Sequence, residues 1–143
     1  MITKSNFKDP LLYSLIALFV LIANPELIAQ DNKSTDLKDF KLVIETTESG
    51  IKMESIKGSA WNDLFFNIQN DLPQAIDEYG MTRLDNVSSS KDSNLADFLF
   101  TITRTNNRIE LKGIEGTAWT DLRFSLSEDK KQAIDQNGMT KLN

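Results

Sequence analysis

The sequence predicts a mainly β protein. Two tandem β-meander repeats, with three to four short antiparallel strands each, are expected to pack as a pseudo-twofold sandwich or flattened barrel after a cleaved N-terminal signal helix. Three observations carry that expectation. Residues 58–66 (GSAWNDLFF) return 58 positions later as 116–124 (GTAWTDLRF), and the match runs without a gap from 39–84 to 97–142. Within each copy apolar residues alternate with polar ones at period two, the signature of a strand with one buried face. A unit of about 46 residues without disulfide or metal rarely buries enough apolar surface to fold alone, whereas two such units sharing one core do.

The N-terminal segment comes first. Lys4 and Lys8 precede an apolar run over 11–23 (LLYSLIALFVLIA), broken by Asn24, Pro25 and Glu26. A charged start and a short apolar run are parts of a secretory signal peptide, although Leu27, three positions before a cut after Ala29, is bulkier than the ideal small residue. The run is shorter than the roughly 20 apolar residues a spanning helix needs. Cleavage after Ala29 is expected, giving a periplasmic or secreted protein with no membrane attachment. Residues 30–38 (QDNKSTDLK) are polar and read as a flexible lead-in.

In the first copy Phe40, Leu42 and Ile44 alternate with Lys41, Val43 and Glu45; in the second Phe98, Phe100 and Ile102 alternate with Leu99, Thr101 and Thr103. A tight turn follows, with Glu48, Ser49 and Gly50 in one copy and Asn106, Asn107 and Arg108 in the other; Gly or Asn suits a backbone whose φ turns positive. Ile51 and Met53, matched by Ile109 and Leu111, begin a returning strand. The next matched apolar residues, Ile56 and Ile114, fall three positions on instead of two, so a bulge is expected at Ser55 and Gly113. Gly58 and Gly116 end the strand. After the Gly-Ser/Thr-Ala-Trp corner, Leu64, Phe66 and Ile68, matched by Leu122, Phe124 and Leu126, form a third strand. Its other face carries Phe65 in one copy and Arg123 in the other, so it is expected to be partly wet.

The last element reads two ways. Asp71 with Gln74, and Asp129 with Gln132, fit a capping box before a helix under two turns. The alternative is a fourth strand over 74–81, favoured because so short a helix gains little and the third strand needs a partner. Gly80-Met81-Thr82 and Gly138-Met139-Thr140 are expected to turn the chain, with the methionines in the core. Residues 85–96 (DNVSSSKDSNLA) read as a linker.

The 143 residues are 40% hydrophobic and 26% charged, globular proportions, with a formal net charge of −5. That balance, with Lys and Arg scattered, argues against a nucleic-acid partner. The chain has neither cysteine nor histidine. Disulfides, thiolate or Ser-His-Asp catalysis and the usual zinc and copper ligand sets are therefore excluded. No metal, cofactor or catalytic residue is expected.

The run Gly-x-Ala-Trp-x-x-Leu-x-Phe followed by Gln-Ala-Ile-Asp-x-x-Gly-Met resembles a unit found in small exported proteins of Gram-negative bacteria. The resemblance covers both copies and implies a cell type and compartment. It supplies no activity and no catalytic residues.

Two residue sets remain as candidate ligand-binding positions. Trp61 and Trp119, the only tryptophans, stand at the corners: each either plugs one end of the core with its indole N–H on a carbonyl, or offers a stacking platform to a sugar ring or side chain. Asp63 with Asp77, and Asp121 with Asp135, are repeated carboxylates that either cap turns, hold calcium or perform acid–base work. The expected function is binding, without chemistry, to an envelope protein or glycan. A carboxylate-dependent periplasmic hydrolase is the alternative.

Overall fold

The structure, a computed structural model, describes residues 37–68, 71–85 and 91–143. The expected signal segment, most of the lead-in and residues 86–90 lie outside the described residues. Leu37–Asn143 forms one compact unit.

Among the described residues ten strands make up the unit: β1 (Lys41–Thr46), β2 (Ile51–Lys57), β3 (Asp63–Phe66), β4 (Gln74–Asp77), β5 (Gly80–Thr82), β6 (Leu99–Thr105), β7 (Arg108–Glu115), β8 (Asp121–Ser125), β9 (Lys131–Asp135) and β10 (Gly138–Thr140). They form two five-stranded antiparallel sheets, ordered β10-β9-β1-β2-β3 and β5-β4-β6-β7-β8; these are called here the first and second sheets. Each sequence copy thus contributes five strands rather than three or four. The segment 74–81, read as one strand or a short helix, is the hairpin β4–β5. Its turn closes because Asp77 Oδ1 accepts the amides of Tyr79 at 2.8 Å and Gly80 at 3.0 Å, and Asp135 does the same for Asn137 and Gly138.

The sheets are not the copies. The hairpin β4–β5 of the first copy leaves β1–β3 and pairs with β6 of the second, from Gln74↔Ile102 to Asp77↔Leu99. The hairpin β9–β10 returns the exchange, pairing with β1 from Lys41↔Asp135 to Glu45↔Lys131. Both crossings pass through an aspartate at positive φ, Asp71 at 67° and Asp129 at 63°. The second is fastened where Asp129 N donates to Thr46 O at 2.9 Å and Thr46 Oγ1 to Ser127 O at 2.9 Å.

One hydrophobic cluster draws on both sheets. Phe40, Leu42, Ile44, Ile51, Met53 and Ile134 meet Ile76, Phe98, Phe100, Ile102, Ile109 and Leu111, all fully or almost fully buried. The rings of Phe40 and Phe98, one leading into β1 and the other into β6, lie 4.4 Å apart. The alternation read from sequence therefore picks the core residues on β1, β2, β6 and β7.

Three local expectations are corrected. The parity slip is a bulge, but its extra residue is Ile56 between Ser55 and Lys57, and Ile114 between Gly113 and Glu115. The side chains that broke the alternation turn outward, each 52% exposed. Met81 and Met139 are half-exposed, not core: they pair with buried Ile76 and Ile134 but sit on the outermost strands β5 and β10, with no further strand to cover them. Asn106 has the positive φ expected of its turn. Gly50 is instead required by crowding, since a Cβ there would stand 2.2 Å from Phe66 O.

Candidate functional site

The corner repeated in the two copies is a fastening between sheets. Gly58 and Gly116 take φ of 95° and 74°, and a Cβ on either would run into Phe40 or the Asp97 carbonyl; only glycine turns the chain there. Ala60 N then donates to Glu78 O, and Ala118 N to Gln136 O, both at 2.8 Å. Trp61 Nε1 donates to Asp77 O, and Trp119 Nε1 to Asp135 O, both at 3.0 Å. Trp61 and Asp77 belong to one copy but to different sheets, so each indole closes the open side where its own hairpin has crossed over. Trp119 is 7% exposed and its ring lies 5.9 Å from Phe100; Trp61 is partly buried against the same core.

The four aspartates stand in two settings. Asp63 and Asp121 open β3 and β8 at the surface, and Asp121 lies 3.8 Å from Arg123. Asp77 is buried, Asp135 is half-buried, and each spends a carboxylate oxygen on two amides of its own turn. No group of three or more acidic side chains among the described residues is disposed to hold a metal ion.

A concave surface lies elsewhere, on the outer face of the second sheet. A groove of about 530 Å3 runs over Thr101, Thr103 and Thr105 of β6, between Pro73 and Leu84 on one side and Glu110, Lys112 and Ile114 of β7 on the other. Leu84 and Ile114 are 55% and 52% exposed. A depression of about 420 Å3 along Gln74, Thr82 and Arg83 continues it past the same Pro73, Leu84 and Thr101. Thr105 Oγ1 donates to Asp71 Oδ1 at 2.7 Å and closes one end. Glu110 lies 3.5 Å from Arg123 and 3.9 Å from Lys112, so the charges on the β7 wall are paired along the surface.

Repeat-matched positions give a physical reason for the groove. Fifty-eight residues away, Thr103 corresponds to Glu45 and Pro73 to Lys131. On the first sheet these two long side chains reach across the face and pair at 3.8 Å; on the second, a short hydroxyl and a proline stand in their places, over a Thr101 that is itself buried. The β7 wall is inverted too: Glu110 and Lys112 stand where the first sheet has Lys52 and Glu54. Sequence reasoning passed over this face because it sought residues the copies share. The signal was in the positions where they differ.

No protein-family model, no curated protein and no solved structure matches the chain.

Proposed function

We propose that this is an exported, non-catalytic binding protein of the cell envelope, built as a pseudo-twofold sandwich of the two sequence copies, and that the groove on its second sheet takes an apolar segment of a partner protein. The observation that carries the reading is the pair of half-exposed aliphatic side chains, Leu84 and Ile114, flanking a floor of threonines. Exposed apolar groups rimmed by paired charges suit a partner's aliphatic side chains. A glycan is supported less, because stacking needs a free ring face, the groove has no aromatic lining residue, and Trp61 and Trp119 pack against the core. Export rests on the character of residues 1–29.

The test is selection of a displayed peptide library on the immobilised protein. Enriched peptides should carry clustered aliphatic residues and bind folded Ile114→Asp at least tenfold more weakly, while Trp61→Phe leaves binding unchanged. Binding of envelope glycans that is lost in a folded Trp61→Phe variant would move the site to the corner. Turnover of an envelope polymer abolished by Asp63→Asn would replace binding with hydrolysis.

A further inference from the structure

The two seams of the hairpin exchange differ in the side chain at the hairpin turn, an amide at one and an acid at the other. At the seam of β9 with β1, Gln136 in the β9–β10 turn accepts Phe40 N at Oε1, 3.1 Å, and donates from Nε2 to Asp39 Oδ1 at 2.8 Å. An amide does both jobs at any pH. At the seam of β4 with β6 the corresponding residues are Glu78, Phe98 and Asp97. Glu78 is 7% exposed, and the Phe98 amide and the Asp97 carboxylate both act on its carboxyl, in opposite directions. A carboxylate there offers Asp97 a like charge where Gln136 offers Asp39 a hydrogen.

We propose that Glu78 is a proton-operated latch: with a proton on its carboxyl it donates to Asp97 as Gln136 donates to Asp39, and loss of that proton loosens the β4–β6 seam while the β9–β1 seam is unchanged. A neutral carboxyl has the donor and acceptor pattern of a primary amide on one edge, so the latched seam copies the permanent one.

The surroundings favour the proton. Burial is the largest influence raising the Glu78 carboxyl above its ordinary 4.5, and Asp77 and Asp97 raise it further; its own amide and that of Phe98 act the other way. From the connection before β6 come Asp92 and Lys91, and from the end of β7 comes Glu115. Lys91 is committed to Asp97 and Glu115 together, which hold its ammonium well above the usual lysine value. Tyr79, next in the turn, is raised by desolvation first and then by Glu78, Asp92, Asp77 and Asp97. The corner packed against the turn contributes a backbone amide, that of Ala60, to the Glu78 carbonyl. At the other seam Lys57 stands in the place of Glu115 and lies 3.7 Å from Asp39.

Folding thus raises the proton affinity of Glu78. Its contribution to stability is complete below 4.5 and fades as pH climbs through the raised value. Urea unfolding of the whole chain from pH 4 to 8 tests this, beside Glu78→Gln and Gln136→Glu. Relative to Glu78→Gln, the unmodified protein should lose up to about tenfold in its folding constant per pH unit between 4.5 and the raised value, and no more above it. Gln136→Glu should add a second loss of the same sign, and amide exchange at Phe98, but not Phe40, should quicken with pH. A pH slope in Glu78→Gln equal to that of the unmodified protein overturns the proposal. So does a carbon-13 titration of the unmodified protein placing the Glu78 carboxyl at or below 4.5; that measurement decides the matter even where a variant fails to fold.

Discussion

Replacing Phe98 by leucine, alone and together with Phe40→Leu, measures how tightly the two sheets are bound into one cooperative body. The rings are almost fully buried and 4.4 Å apart, and Phe98 is also 5.8 Å from Phe100. Truncation of a buried phenylalanine to alanine costs about 3–5 kcal/mol. That is a large part of the roughly 5–15 kcal/mol a domain possesses. Leucine keeps most of the volume and should cost about 1–2 kcal/mol at each site. A ring pair at this spacing contributes about 0.5–1.5 kcal/mol beyond the area it buries, so the double variant should be less destabilised than the sum of the singles by that amount. Urea unfolding, followed by far-UV circular dichroism and by fluorescence of Trp61 and Trp119, gives all three energies. Because β1 is the central strand of one sheet and β6 of the other, each single variant should shift one transition seen by both probes. Additive energies, or two transitions separating the probes, would refute the shared core.

Residues 37–84 expressed alone leave β1 without β9 and β4 without β6; a second molecule of the fragment supplies both, so sedimentation should show folding only as a dimer, with stability rising with concentration, and a cooperatively folded monomer would contradict the exchange. Gly113→Ala should cost about 1–3 kcal/mol in thermal unfolding, because its Cβ would stand 2.2 Å from both Thr117 Oγ1 and Trp119 O, and an unchanged midpoint would show that the corner yields.

What was legible in the sequence was whatever depends on one strand and water. Leu42, Ile44, Met53, Phe100, Ile102 and Leu111 were marked as core by alternation because a pleated strand sends successive side chains to opposite faces. The tryptophan hydrogen bond followed from a donor that must be satisfied on burial. Pairing across the molecule was not legible. The two copies are chemically alike, so Ala75 and Ile76 fit beside β1 or β6 equally well by pattern. Nor did alternation say which way a bulged residue faces: Ile56 and Ile114 look like core to a reader counting apolar residues, yet the extra residue of a bulge has no cross-strand partner. The groove escaped for a third reason, since it arises from Thr103 and Pro73 being short where Glu45 and Lys131 are long.

The exchange of hairpins also carries a consequence about symmetry. A twofold assembly of separate identical chains must present the same outer face twice, so any change that bares one side bares the other. Continuous through both halves, this chain is free of that obligation while keeping the interlocked arrangement that a symmetric pair would have. Its first sheet can keep a covering ion pair while its second is stripped to threonine, and one seam can carry an amide while the other carries an acid. Covalent fusion gives the molecule two distinguishable ends.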